Sequence, residues 1–269
     1  MKQTMPKIFS FALTLALIVS FFPVHPAQAL GGGSGTNSLA TLGTAYTQNF
    51  DTLANTGTTN SLTLNGWFLE EGNVTATANN GLYAAGTGSS TTGDTYSFGA
   101  AASSERAFGG LLSGSVTPTI GASFTNNTGN VVTALDISYV GEMWRAGVLN
   151  RNAADRIDFQ LSTNALSLST GTWVDYDGLD FSSPNINTAA GALIGNAAGN
   201  RTAISFSITG LSIANSSSFW IRWTDYNITS SDDANFTVAS QADVLSTVSS
   251  ITDTMKLFLG AIAAISLIV

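Results

Sequence analysis

The chain has 269 residues, 44% of them hydrophobic, 10% aromatic and 10% charged, with 27 glycines, five prolines and no cysteine. That apolar content fills one large core or two small ones and excludes a disordered chain. The lack of cysteine excludes disulfides, thiol nucleophiles and thiolate metal sites. His25 is the only histidine, and Ser, Thr and Asn occupy many positions where a cytosolic enzyme would carry Lys and Glu, which is the composition of an all-β secreted protein.

Lys2 and Lys7 precede an apolar stretch from Ile8 to Phe22, which Pro23 and Pro26 end just before Ala27-Gln28-Ala29. This layout predicts a secretory signal peptide over residues 1–29, cleaved near Ala29. The apolar run is shorter than the roughly 20 residues that a membrane-spanning helix needs. Cleavage removes His25 and leaves seven basic against 17 acidic side chains, a net charge of −10. Such a surface repels nucleic acid and anionic lipid. The expectation is a secreted or cell-surface protein with no nucleic-acid partner and no histidine for a catalytic triad.

Residues 30–45, with the run Gly31-Gly32-Gly33-Ser34-Gly35, predict a flexible leader. Residues 46–240 carry period-two alternation in short runs between Gly, Asn, Ser and Thr clusters. Leu135, Ile137 and Tyr139 alternate with polar neighbours, as do Ile157, Phe159 and Leu161, then Ile204, Phe206 and Ile208, then Phe219, Ile221 and Trp223. One apolar face per strand predicts antiparallel sheets with one buried side, and two such sheets form a sandwich. Asn126-Asn127-Thr128-Gly129-Asn130 reads as a hairpin turn between a strand near Ala122 to Phe124 and one from Val131. The stretches 84–94 and 182–200 read as long loops at one end of the sandwich, where binding tends to evolve. Residues 241–269 form an apolar tail. From Leu257 to Val269 there is no charge, which fits a short helix packed on the sandwich, a truncated end, or a sorting or membrane-tethering segment.

The runs YTQNFDTLANTGTTN, YAAGTGSSTTGDTYSFG, ERAFGGL, FTNNTG, LDISYVGEMWRAG, GNAAGNRTAIS and IRWTD resemble a family of secreted bacterial β-sandwich proteins that often end in PEP-CTERM sorting signals. The resemblance spans about Tyr46 to Asp225. It implies a jelly-roll-like sandwich and a surface or extracellular-matrix location, and it carries no activity. Two departures are plain: Ser230 to Val238 reads SSDDANFTV rather than a strand like GLAIDDFSV, and the tail has neither a Pro-Glu-Pro motif nor terminal arginines.

The alternation that buries Tyr139 and Met143 sends Glu142 and Trp144 to the opposite face, and burying Ile221 and Trp223 does the same for Trp220 and Arg222. Aromatic platforms beside a carboxylate and a guanidinium hold sugars by stacking and directional hydrogen bonds. Equally, Glu142 and Arg222 could pair across a sheet under a covering loop, with both Trp side chains as packing. Arg106, Arg145 and Arg201 read as residues that fix loops. The turn Asp175-Tyr176-Asp177-Gly178-Leu179-Asp180 resembles half of a calcium loop without its closing glutamate, so Asp175, Asp177 and Asp180 are candidate Ca²⁺ ligands beside the alternative of a solvated acidic turn. Asp232-Asp233, near Asp51, is a second such candidate.

The expected function is therefore non-enzymatic: adhesion, or binding of polysaccharide or extracellular matrix. The alternatives are a purely structural envelope protein and a carboxylate-dependent glycan hydrolase drawing on Glu70, Glu71, Glu105 or Glu142.

Overall fold

The computed structural model describes residues 31–72, 80–147, 153–226, 235–238 and 242–245. In chain order the strands are β1 (Gly32–Gly33), β2 (Asn37–Leu39), β3 (Tyr46–Gln48), β4 (Asn60–Ser61), β5 (Trp67–Gly72), β6 (Leu82–Gly86), β7 (Asp94–Phe98), β8 (Ala107–Leu111) and β9 (Thr117–Asn126). They continue with β10 (Val132–Ala146), β11 (Arg156–Ser162), β12 (Val174–Asp175), β13 (Phe181–Ser182), β14 (Gly191–Ala192), β15 (Arg201–Ile213), β16 (Ser218–Tyr226), β17 (Asn235–Val238) and β18 (Ala242–Leu245). Two 3₁₀ turns lie at Asp177–Leu179 and Ala198–Asn200. The all-β expectation holds, and β10, β11, β15 and β16 lie where the alternation puts them.

Sixteen of the strands form two largely antiparallel eight-stranded sheets, and β3 with β18 forms a separate two-stranded one. The first runs β1-β5-β9-β16-β11-β12, with β13 on β11 and β2 on β9; the second runs β14-β10-β17-β8-β7-β6-β4, with β15 on β10. One core lies between them, because inward residues of the first sheet (Trp67, Ile120, Phe124, Phe159, Trp223) join inward residues of the second (Phe108, Leu135, Ile137, Tyr139, Ile208) in a single buried cluster. Its centre is aromatic. Trp67 and Trp223 stack with ring centroids 6.1 Å apart, and Tyr139 and Phe159 meet Trp223 edge-on at 5.4 and 5.2 Å. The fully buried Tyr139 hydroxyl donates to the carbonyl of Leu179 at 2.5 Å.

Three expectations change. Residues 30–45 are not a free leader: Gly32 and Gly33 pair with Leu69 and Phe68 of β5, and Asn37 to Leu39 runs parallel to β9. Glycine is required here by close approach, since Gly33 has φ +112° and any Cβ on it would strike the carbonyl oxygen of Trp67. At the other end, Ala242 to Leu245, assigned to the apolar tail, is a strand paired with β3. The signal segment 1–29 and the tail from Leu257 to Val269 lie outside the described residues. Third, the turn after Asn126 is not a hairpin. β9 belongs to the first sheet and β10 to the second, so this turn carries the chain across the sandwich.

The return crossing, from β15 to β16, passes beside it, and Asn126 ties the two together. Its backbone N–H donates to Ser217 O at 2.9 Å and its carbonyl accepts from Ser216 N at 2.6 Å. Its Nδ2 donates to Asn130 O at 2.8 Å and Ile213 O at 2.9 Å, while Oδ1 accepts from the N–H and hydroxyl of Thr128. Asn126 is completely buried, so removing its amide strands several partners at once. Asn126→Ala is expected to lower stability by about 2–4 kcal/mol in urea unfolding. A loss under about 1 kcal/mol would show that the crossing does not depend on it.

Candidate functional site

The four candidate binding residues are not brought together. Glu142 and Trp144 lie on β10 in the second sheet, Trp220 and Arg222 on β16 in the first. Pairing between Glu142 and Arg222 is thereby ruled out, because the two side chains lie on the outer faces of opposite sheets. Neither tryptophan is an open platform. Trp144 is 2% exposed and sits in a second apolar cluster with Ala84, Tyr96, Phe98 and Leu111 on the outer face of the second sheet. Its ring stacks on Phe98 at 6.2 Å, and its indole N–H donates to Glu142 Oε2 at 3.0 Å.

The two long loops account for this cover. Gly195 lies directly against the Trp144 indole, where a Cβ would overlap the ring. Leu193 N donates to Trp144 O at 2.8 Å, and Arg145 Nη1 donates to the carbonyl of Gly88 at 3.2 Å. The loops therefore close over one sheet face. Glu142 is 1% exposed. Burial, with the Glu105 charge in support, pushes its carboxyl up to about 7 against the opposing pull of the Trp144 N–H and Arg201.

Arg106 and Arg145 fix structure as expected. Arg106 is buried, with Nε on Ser97 Oγ at 2.8 Å and Nη2 on the carbonyls of Ser97 and Gly86, so it holds β6, β7 and β8 in register.

The outer face of the first sheet differs. Trp220 is buried there with Ala165 and Leu168 under residues 163–173, and Phe68 lies against it at 4.6 Å. At the margin of this cover Trp173 is half-buried. The Arg222 guanidinium stands 4.1 Å from its ring centroid, a cation–π contact. Arg222 is held by two further partners, since Nε and Nη2 donate to Gln160 Oε1 at 2.8 and 2.6 Å and Nη1 donates to the carbonyl of Leu168.

Beyond the stack the face carries a row of half-buried polar side chains. Register places Glu70, Thr119, Thr224 and Asp158 side by side on β5, β9, β16 and β11, all of them half-buried. Three strand spacings make this polar row about 14 Å long. Thr119 and Thr224 hydroxyls lie 3.3 Å apart. Trp173 and Gln160 are the members that sequence reasoning missed. Trp173 precedes a two-residue strand with no alternation to read, and Gln160 faces Arg222 only through the register of β11 on β16.

The three candidate calcium ligands do not converge. Asp180 turns inward, its Oδ1 accepting from Phe159 N at 2.8 Å and its Oδ2 3.5 Å from Arg156 Nε, while Asp175 and Asp177 are exposed. Arg156 also holds Asp158 at 2.5 Å. Among the described residues no three acidic or histidine side chains are close enough to hold a metal. Asp232-Asp233 lies outside them. The residues present thus do not fit a calcium site at this turn, because Asp180 is spent on β11 and Arg156.

No model of a known protein family matches the chain, and no curated protein is significantly similar to it in sequence.

Two predictions follow from these environments. Asp180→Ala should cost about 1–3 kcal/mol of stability by freeing the Phe159 N–H, and the loss measured by urea unfolding should be the same in calcium and in chelator. A calcium-dependent loss would restore the metal reading. The second concerns pH. Burial raises the carboxyls of Asp180, to about 6, and Glu142, and burial with a hydrogen bond to Glu71 raises that of Asp94. Between the ordinary carboxylate value and these raised ones the folded state binds more protons than the unfolded state. Their contribution is therefore complete below about pH 4 and is lost as pH climbs through the raised values. The melting temperature is expected to fall by several degrees from pH 5 to pH 8, and less so in Glu142→Gln. A melting temperature that rises over this interval would refute the assignment.

Proposed function

We propose that this is an exported protein of the cell surface or extracellular matrix that binds polysaccharide without cleaving it, through the outer face of the first sheet. The observation that carries this reading is the Trp173–Arg222 stack beside the polar row Glu70, Thr119, Thr224 and Asp158. A partly exposed indole on a fixed guanidinium offers an apolar surface to a sugar ring, and hydroxyl and carboxylate groups at strand spacing offer directional partners to its hydroxyls. The acidic balance of the chain, −8 overall, favours a neutral glycan over an anionic one. The signal-peptide layout and the resemblance to secreted bacterial β-sandwich proteins support export, and that resemblance also brings a jelly-roll wiring of the two sheets.

The test is binding of the intact protein to a panel of neutral and acidic polysaccharides, with soluble sugar analysed after incubation. Trp173→Ala is expected to weaken binding at least about tenfold while the melting temperature stays within a few degrees, and Thr224→Ala to weaken it less. Leu166→Ala, altering a side chain 86% exposed at the loop tip, should bind as the parent does. Binding indifferent to Trp173 would move the site elsewhere, failure to bind any glycan would leave a structural envelope role, and release of oligosaccharide would make the protein a hydrolase.

A further inference from the structure

Three of the four ends of the two sheets close on strands of two residues: β1 and β12 in the first sheet and β4 in the second. Short terminal strands are a common way for soluble proteins to keep unpaired backbone N–H and C=O groups from recruiting another chain. The fourth end differs. β15 has 13 residues and pairs along one side with β10, and among the described residues no strand lies on its other side.

Few of the usual protections are present on β15. Between Asp180 and Arg222 the only charged residue is Arg201, and β15 contains no lysine, proline or acidic residue. Its register shift falls at the far end, between the pairs Val132↔Ile213 and Ala134↔Thr209, where Gly210 has φ +75°. This leaves Arg201 to Thr209 regularly paired and without a bulge. On the core side of that stretch Ile204, Phe206 and Ile208 continue the row Tyr139, Ile137 and Leu135 of β10. Ile208 is buried and Ile204 packs against the core, but Phe206 between them is left partly open. Phe206 is 43% exposed, although it touches Gly178.

We propose that the protein pairs with a second copy of itself, β15 against β15, antiparallel about a two-fold axis perpendicular to the sheet. Charge selects this occupant. Two copies of an acidic chain repel over most of their surfaces, and β15 is a long neutral strip where they can meet. β15 itself carries no carboxylate. Asp136, beside it on β10, is hydrogen-bonded to Ser207, and two such groups would stand three strand spacings apart, about 14 Å, which exceeds the Debye length at physiological salt; Asp177, next to the Gly178 that meets Phe206, is exposed to solvent, where salt screens it. Strand alternation also selects it, since the perpendicular axis puts both core faces on the same side. Phe206 then faces the partner's Phe206, and Ile204 faces the partner's Ile208. Two second sheets become one continuous sheet, with the exposed Phe206 side chains covered. Because the other sheet ends are short, the pairing closes at two copies and makes no fibre.

The test is sedimentation velocity on the intact protein over a concentration series, with variants at the axis. A concentration-dependent dimer is expected, and Phe206→Glu, which sets two like charges face to face, should raise its dissociation constant at least about tenfold with the β-sheet circular dichroism retained. Phe206→Cys provides a readout that does not need Phe206→Glu to fold. The chain has no native cysteine, and residues directly opposed on antiparallel strands have Cα atoms about 4.5–5.5 Å apart, within disulfide range. Mild oxidation should therefore yield a covalent dimer much faster than it does from Leu166→Cys. A monomer at every concentration, including one that captures another protein's strand on β15, overturns the proposal. So does a dimer indifferent to Phe206→Glu, or crosslinking no faster at residue 206 than at 166.

Discussion

A sandwich chain must leave one sheet and enter the other, and each crossing takes backbone out of its ladder where little water can replace the lost partners. In this protein the crossings β9 to β10 and β15 to β16 lie side by side, and the amide and backbone of Asn126 supply the missing bonds of both. The two longest strands of the second sheet, β10 and β15, pair with each other directly beyond these turns. A displaced corner would therefore shift their shared register, and with it the faces presented by Tyr139, Phe206 and Glu142. A carboxamide suits the position because it donates twice and accepts twice without charge.

Alternation is a local property, and what it could tell was local. It located β10, β11, β15 and β16 and assigned the inward side of each, down to Tyr139 and Trp223. Strand partners depend on residues far apart in the chain, so the Asn126 turn, with all the chemistry of a hairpin, was read as joining neighbours when it joins opposite sheets. The glycine run was misread for a related reason. Glycine permits freedom in a coil and also permits two backbones to touch, and only the presence of β5 alongside Gly33 decides between them.

The same limit governs the site. Period two sends Trp144 and Trp220 away from the central core, and that is where they lie. It cannot report that residues 87–93 and 183–200 fold down on one face and residues 163–173 on the other, giving satellite clusters in place of open platforms. Trp173 gives no periodic signal, and its place over Arg222 follows from a short loop held by Asn164 and Thr170, a pattern of side-chain caps that composition renders simply as polar.

Pairing across long spans has a further consequence. Tyr46 is aligned with Leu245, and β2 lies on β9 at a separation of more than 80 residues. Chain ends so placed cannot dock until nearly all of the intervening chain has found its position, and the entropy of closing such loops precedes any return from the contacts they make. Pairing of this kind favours slow folding in which the long-range strands dock late. The same closure acts in reverse as a clasp: β18 must leave β3 before the distant segments they join can separate, which gives the native state a persistence in time separate from its depth in free energy.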